Sequence, residues 1–225
     1  MSLSLSSDDL TTWPVLASAA ALLAAFCWSY ARRRRAPAAS PRARALILVG
    51  TPHFPLPAVA QPFAVFTAAG VEVTLCSARG GATQPDPASL QTEVAQAAAA
   101  ACDPCWLQVL ETVGGGLAAL PQLRAERFDA LFVAGGAGVL RELRETDLRG
   151  RRLTPFCLAC RDAGAQLLAR GGVVGATGHG VLALPQLSEE EKERYAGRYF
   201  AGALDSAAPE VAQSMLDALQ LGEGA

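Results

Sequence analysis

The chain has 225 residues, of which 51% are hydrophobic and 18% charged, with a formal net charge of −2 at pH 7. That length suits one sizeable α/β domain with an appendage and argues against two full domains. The slightly acidic balance excludes a general attraction to nucleic acid, and the dense basic cluster, Arg32 to Arg35, borders an apolar segment.

Residues 1–9 are a short N-terminal tail. From Leu10 to Ala31 no residue is charged, and at ~1.5 Å per residue the segment reaches about 33 Å, the thickness of a hydrocarbon core. Trp13, Trp28 and Tyr30 stand near its ends as interface anchors. Asp8 and Asp9 precede it and the arginines follow, so residues 10–31 are predicted to be one transmembrane helix, with the N-terminus outside and the main domain cytosolic. Organelle targeting and a cytoplasmic tail are the alternatives, whereas a cleaved signal peptide would carry its basic residues first. Residues 32–44 read as a basic linker stiffened by Pro37 and Pro41.

The domain proper is expected over residues 45–225. Ala45 to Gly50 is an apolar run of strand length ending in glycine. A Pro-rich loop then leads to a helix over Pro62 to Ala69, closed by Gly70, and Val71 to Cys76 alternates as a strand. Helical segments follow over Leu90 to Leu120, broken at Asp103-Pro104 and Gly114-Gly115-Gly116. Phe128 to Ala134 is the next buried strand and ends in Gly135-Gly136. A helix from Thr154 to Arg170 leads through Gly171-Gly172 to the strand Val173 to Thr177, which turns sharply at Gly178-His179-Gly180 into a helix beginning near Val181. The remainder reads as helical, with a capping box at Ser188 and Glu191, an apolar stripe of Val211, Met215, Leu216 and Leu219, and no further strand. This alternation predicts a doubly wound, mostly parallel sheet of flavodoxin-like type, with ligands bound beyond the carboxyl ends of its strands.

Among the six cysteines, Cys102 and Cys105 form one Cys-x-x-Cys pair and Cys157 and Cys160 another. The pairs are too far apart for a zinc ribbon, and Cys157 and Cys160 share a helical face with Leu153, Ala163 and Leu167. Buried thiols are therefore expected, with no metal site. No Walker-type loop appears, and Gly135 and Gly138 lack the dinucleotide-binding spacing, so no cofactor is implied.

A strand, tight turn and helix is the geometry of a nucleophile elbow. The Gly178-His179-Gly180 turn resembles the Cys-His-Gly elbow of the ThiJ/PfpI superfamily, the class I glutamine amidotransferase-like proteins, with the cysteine position falling on Gly178. Phe63 to Val73 with Gly80-Gly81 and Asp86 to Leu90, and Phe128 to Gly136, resemble the glyoxalase III-type branch in the same order. The Gly-His-Gly elbow itself is similar to the branch called glutamine amidotransferase-like class 1 domain-containing protein 1. The resemblance implies an oxyanion loop at Gly135-Gly136 and a site drawn from Gly135, Gly136, Gly178 and His179. It also implies a glutamate in the loop after the first strand, where this chain has Leu56 to Gln61 without an acid, and a strand and acidic partner after the elbow helix, which the tail does not show.

Gly178 offers no atom to deprotonate, so covalent thiol catalysis is closed. The expectation is a non-catalytic binding or regulatory domain with a small-molecule or protein partner. The alternative is residual glyoxalase III-like turnover of methylglyoxal to D-lactate, or hydrolysis, with His179 as a vestigial general base. His179 also reads as a structural hydrogen-bonding residue, the glycines as simple turns, and Cys76 and Thr177 as packing. Superfamily members are usually dimers, so a homodimer is expected. A thiol or carboxylate from elsewhere, projecting at residue 178, would undo the argument for silence.

Overall fold

In the computed structural model, residues 43–120, 127–143 and 153–222 are described. The predicted transmembrane segment, residues 10–31, lies outside them; among the described residues no helix is long and apolar enough to cross a membrane.

The parallel strands are short apolar runs because both faces of the sheet are covered. Strand β1 (Arg44–Leu48), β3 (Glu72–Ser77), β6 (Ala130–Val133), β7 (Val173–Thr177) and β8 (Tyr199–Gly202), with the short β5 (Ala118–Ala119), make one six-stranded sheet in the order β5-β3-β1-β6-β7-β8. The pairings are parallel throughout. A second, two-stranded parallel pair joins β2 (His53–Phe54) to β4 (Gln84–Pro85). Alternate side chains of one strand enter different cores. Ala45 and Ile47 join Phe132 and Val173 in a cluster with Phe63, Phe66, Val109 and Met215, while Leu46 and Leu48 join Leu131, Val133 and Val174 in a cluster with Leu143, Cys157, Leu167 and Leu168.

The helices are α1 (Leu56–Ala68), α2 (Glu93–Ala100), α3 (Pro104–Gly115), α4 (Ala137–Leu143), α5 (Pro155–Ala169), α6 (Glu189–Arg194) and α7 (Ala208–Gly222). Residues of α1, α3 and α7 pack in the first cluster, and residues of α4 and α5 in the second, which gives three layers. The N-termini follow their sequence signals. Asp103 accepts from the Cys105 and Trp106 N–H groups, Thr154 from Cys157 N–H, and Ser188 and Glu191 close the predicted capping box.

Three expectations need correction. Helix α1 begins at Leu56, not Pro62: Pro57 stands in the first turn, where no N–H partner is needed, and Pro62 is accommodated inside the helix with its ring in the buried face. The segment after the elbow strand is a six-residue 3-10 helix, Gly178–Ala183, rather than an α-helix from Val181. The tail does hold another strand, β8, whose Tyr199 to Gly202 pair with Val174 to Thr177 of β7.

Candidate functional site at the carboxyl edge of the sheet

The chain runs outward from β1 through β3 to β5, then returns to add β6, β7 and β8 on the other side, so the strand order reverses between β1 and β6. Such a reversal usually opens a ligand crevice beyond the strand ends. Here the loops beyond β1 and β6 press on each other. A Cβ at Gly136, whose φ is +104°, would strike the Pro55 ring, and one at Gly138 would strike the His53 carbonyl. The next position along, between β6 and β7, carries the elbow.

Strand β7 is fully buried, and Gly178 leaves it with φ +49°, the left-handed region that favours glycine. The 3-10 helix behind it is held from two sides. Cys157 Sγ and Arg161 Nε, both on α5, donate to the Leu182 carbonyl at 3.2 and 3.0 Å, and Gly180 lies so close to β6 that a Cβ there would be 2.5 Å from the Val133 carbonyl oxygen.

The pairing of Thr177 with Gly202 brings the end of β8 beside the elbow, and three residues on, Asp205 turns its carboxyl back toward it. A Cβ on Gly178 would collide with Asp205 Oδ1 and lie 3.1 Å from its Cγ. One on Gly135 would also collide with Oδ1, lying 2.8 Å from Cγ and 2.8 Å from the Thr177 carbonyl oxygen. The carboxyl is thus seated between the Gly135 turn and the Gly178 turn. Its Oδ1 is buried and accepts no hydrogen bond from the described residues. Burial raises its pKa, and the nearby His179 partly offsets that. His179 itself is exposed. The tail thus brings an acid to the elbow that the sequence reading did not place there.

A second carboxyl reaches the loop beyond β1. Glu142, on α4, accepts from Thr51 Oγ1, and burial raises its pKa while the Thr51 hydrogen bonds and Arg79 oppose the rise. The stretch Leu56 to Gln61, which lacks an acid, is helical instead of loop. Beside Glu142, burial raises the thiol pKa of Cys76 and Cys160, which makes both poor nucleophiles. Among the described residues no group of three or more His, Cys, Asp or Glu side chains is placed to hold a metal ion.

The structure therefore gathers Gly135, Gly178 and the unforeseen Asp205, with His179 beside them, whereas Gly136 turns to Pro55. The buried polar atoms without a partner among the described residues are His53 Nδ1, Glu142 Oε2, Thr177 Oγ1 and Asp205 Oδ1. All four belong to strand ends or to segments beyond them on the carboxyl side of the sheet, or, for Glu142, to the side chain that meets the β1 loop. Unpaired buried polar atoms are costly, and their concentration along one edge marks it as the polar side of the fold.

No family model matches the chain, and no curated protein matches it. Solved structures do. The crystallised protein APC35852 is 18% identical with a TM-score of 0.60, over 80% of this chain and 99% of its own. The Rapid Encystment Protein of 24 kDa from Francisella tularensis is 15% identical with a TM-score of 0.54, over 79% of this chain and 99% of its own. A two-domain protein from Anabaena variabilis with DJ-1/ThiJ/PfpI-like and ferritin-like domains overlaps more loosely, at 17% identity and a TM-score of 0.41, over 63% of this chain and 31% of its own. The first two establish what is shared: a mostly parallel α/β sheet flanked by helices.

Proposed function

We propose that this chain is a ThiJ/PfpI-type, class I glutamine amidotransferase-like domain that binds a small molecule or protein partner without thiol chemistry. The observation that carries the reading is the bare Gly178 at the elbow; the Asp205 carboxylate seated against it undoes the case for complete silence and leaves only thiol chemistry closed. The elbow residue has no side chain, and the space its Cβ would need is taken by a carboxylate oxygen. Cys76, the strand-end thiol, does not replace it, being fully buried with a raised pKa. Tethering through residues 10–31 and homodimerisation belong to the same proposal.

A second reading is favoured by Asp205 itself. A carboxylate at the elbow removes the argument from an empty apex, and His179 lies near enough to act on it electrostatically, so a hydrogen bond formed between the two when substrate binds would orient the imidazole as a base. On that reading His179 activates water in a hydrolytic or glyoxalase III-like reaction.

One assay separates them. Full-length protein incubated with methylglyoxal should yield no D-lactate above a buffer blank; turnover would overturn the binding reading. Turnover that survives in His179→Ala would overturn the second reading as well.

A further inference from the structure

The sheet ends on two unlike edges. At one, β5 is only two residues long, Ala118–Ala119, which blunts it. At the other, β8 runs Tyr199–Gly202 with neither a proline nor a charged residue, and among the described residues no strand pairs with its outer side. We propose that β8 is an interface between two copies of this chain, which join their sheets antiparallel about a two-fold axis at Phe200. The inference rests on the homodimer reading above and names its surface.

The register fixes what this edge offers. Val174 N–H donates to the Arg198 carbonyl, Val174 pairs with Tyr199, and Ala176 pairs with Ala201. Arg198, Phe200 and Gly202 therefore turn their backbone groups toward β7, while those of Tyr199 and Ala201 point outward. Among the described residues no hydrogen bond reaches these outward groups, and such a row is a template for another strand. An antiparallel pairing in which Tyr199 of each copy exchanges hydrogen bonds with Ala201 of the other satisfies them all and sets Phe200 opposite itself. Phe200 packs on the first core cluster yet is only partly buried, so its own copy covers the remainder as an aromatic cross-strand pair. The same register puts Arg198 opposite Gly202 of the other copy. Gly202 lies against Ala207 and Val211, beside an open depression lined by Ala203, Leu204, Ser206, Ala207 and Glu210. Arg198 and Glu210 are both exposed, and their side chains form no ion pair or hydrogen bond among the described residues. Across the axis each guanidinium meets the other copy's carboxylate, twice by symmetry, which selects a second copy over an unrelated strand. Leu204, 67% exposed, is covered in the same contact.

The test is sedimentation of full-length protein in a nonionic detergent over a wide range of concentration, where wild type should form a dimer. Ala201→Pro removes an outward N–H and no bond to β7, so it should remain folded by circular dichroism yet sediment as a monomer. Arg198→Glu sets like charges together and should raise the dimer dissociation constant about tenfold, and Arg198→Glu with Glu210→Arg should restore it. A dimer that persists in folded Ala201→Pro would overturn β8 as the interface while leaving homodimerisation by another surface standing. If Ala201→Pro does not fold, the charge exchange decides: a dimer unchanged by Arg198→Glu, or not restored by the exchange, would overturn the interface. A wild-type monomer at every concentration would overturn both the interface and the homodimer reading. Failure of the binding reading has a separate signature, D-lactate from methylglyoxal.

Discussion

Gly180 faces the Val133 carbonyl oxygen with no room for a methyl group: a Cβ would stand 2.5 Å from that oxygen and 3.1 Å from the Ala134 oxygen. Both obstacles are backbone, at the last residue of β6 and the one after it, so neither can rotate away. Gly180→Ala should therefore lift the 3-10 helix off the sheet and cost about 1–3 kcal/mol, the usual range for overpacking. Urea unfolding checks it, and an unchanged midpoint would mean that the elbow is not seated as described.

Restoring the thiol depends on Asp205. Gly178→Cys alone places Cβ in the carboxylate and a side chain at φ +49°, and should be destabilised by about 1–3 kcal/mol. Gly178→Cys with Asp205→Ala removes the collision and should recover part of that loss. In the double variant the thiol should alkylate with iodoacetamide at mildly acidic pH, because it sits beside backbone N–H groups and His179. Mass spectrometry reads both outcomes, and an inert thiol in the folded double variant would show that the turn is not an elbow.

The Asp205 carboxyl should leave a mark on acid stability. Its pKa is raised in the folded protein, so the folded state holds the proton more tightly than the unfolded chain does. Its contribution is therefore most favourable below the ordinary carboxyl value of about 3.9 and is lost as pH rises through the folded value. Relative to wild type, Asp205→Asn should gain stability progressively on going from about pH 4 toward pH 7. Glu142, also raised by burial, has the same sign, and Glu142→Gln should remove its share of the slope separately. Parallel stability curves for wild type and Asp205→Asn would contradict the carboxyl's placement.

Thiol accessibility should divide the cysteines. Cys76 and Cys160 are buried with raised pKa values, whereas Cys102 is exposed. Under native conditions at pH 8, iodoacetamide should label Cys102 and leave Cys76 and Cys160 until denaturant is added. Rapid labelling of Cys76 would reopen its candidacy as a nucleophile.

The sheet was legible in the sequence because its central strands are buried on both faces and read as unbroken apolar runs ended by glycine. Strand β8 was not, because it is an edge strand: Tyr199 and Phe200 are only partly buried, Ala201 is exposed, and Gly202 alone is buried. Helix α1 was shortened because its prolines read as loop, although the first turn of a helix tolerates one. The elbow turn followed from its glycines. Asp205 stayed hidden because its link to Gly178 exists only through the Thr177–Gly202 pairing, which no local pattern announces. The usable signal was the glycine itself, since a bare elbow leaves space that another part of the chain can fill.

Asp205 opens the short 3-10 turn that leads directly into α7, and α7 lies on β7 at Gly175, where a Cβ would overlap the Met215 sulfur. The last helix thus acts as the clamp that holds the carboxylate in register with the elbow. A protein clipped before residue 203 would lose the acid between the glycine turns together with the helix whose Val211, Met215 and Leu216 cover β7, so the elbow and the first core cluster would fail as one.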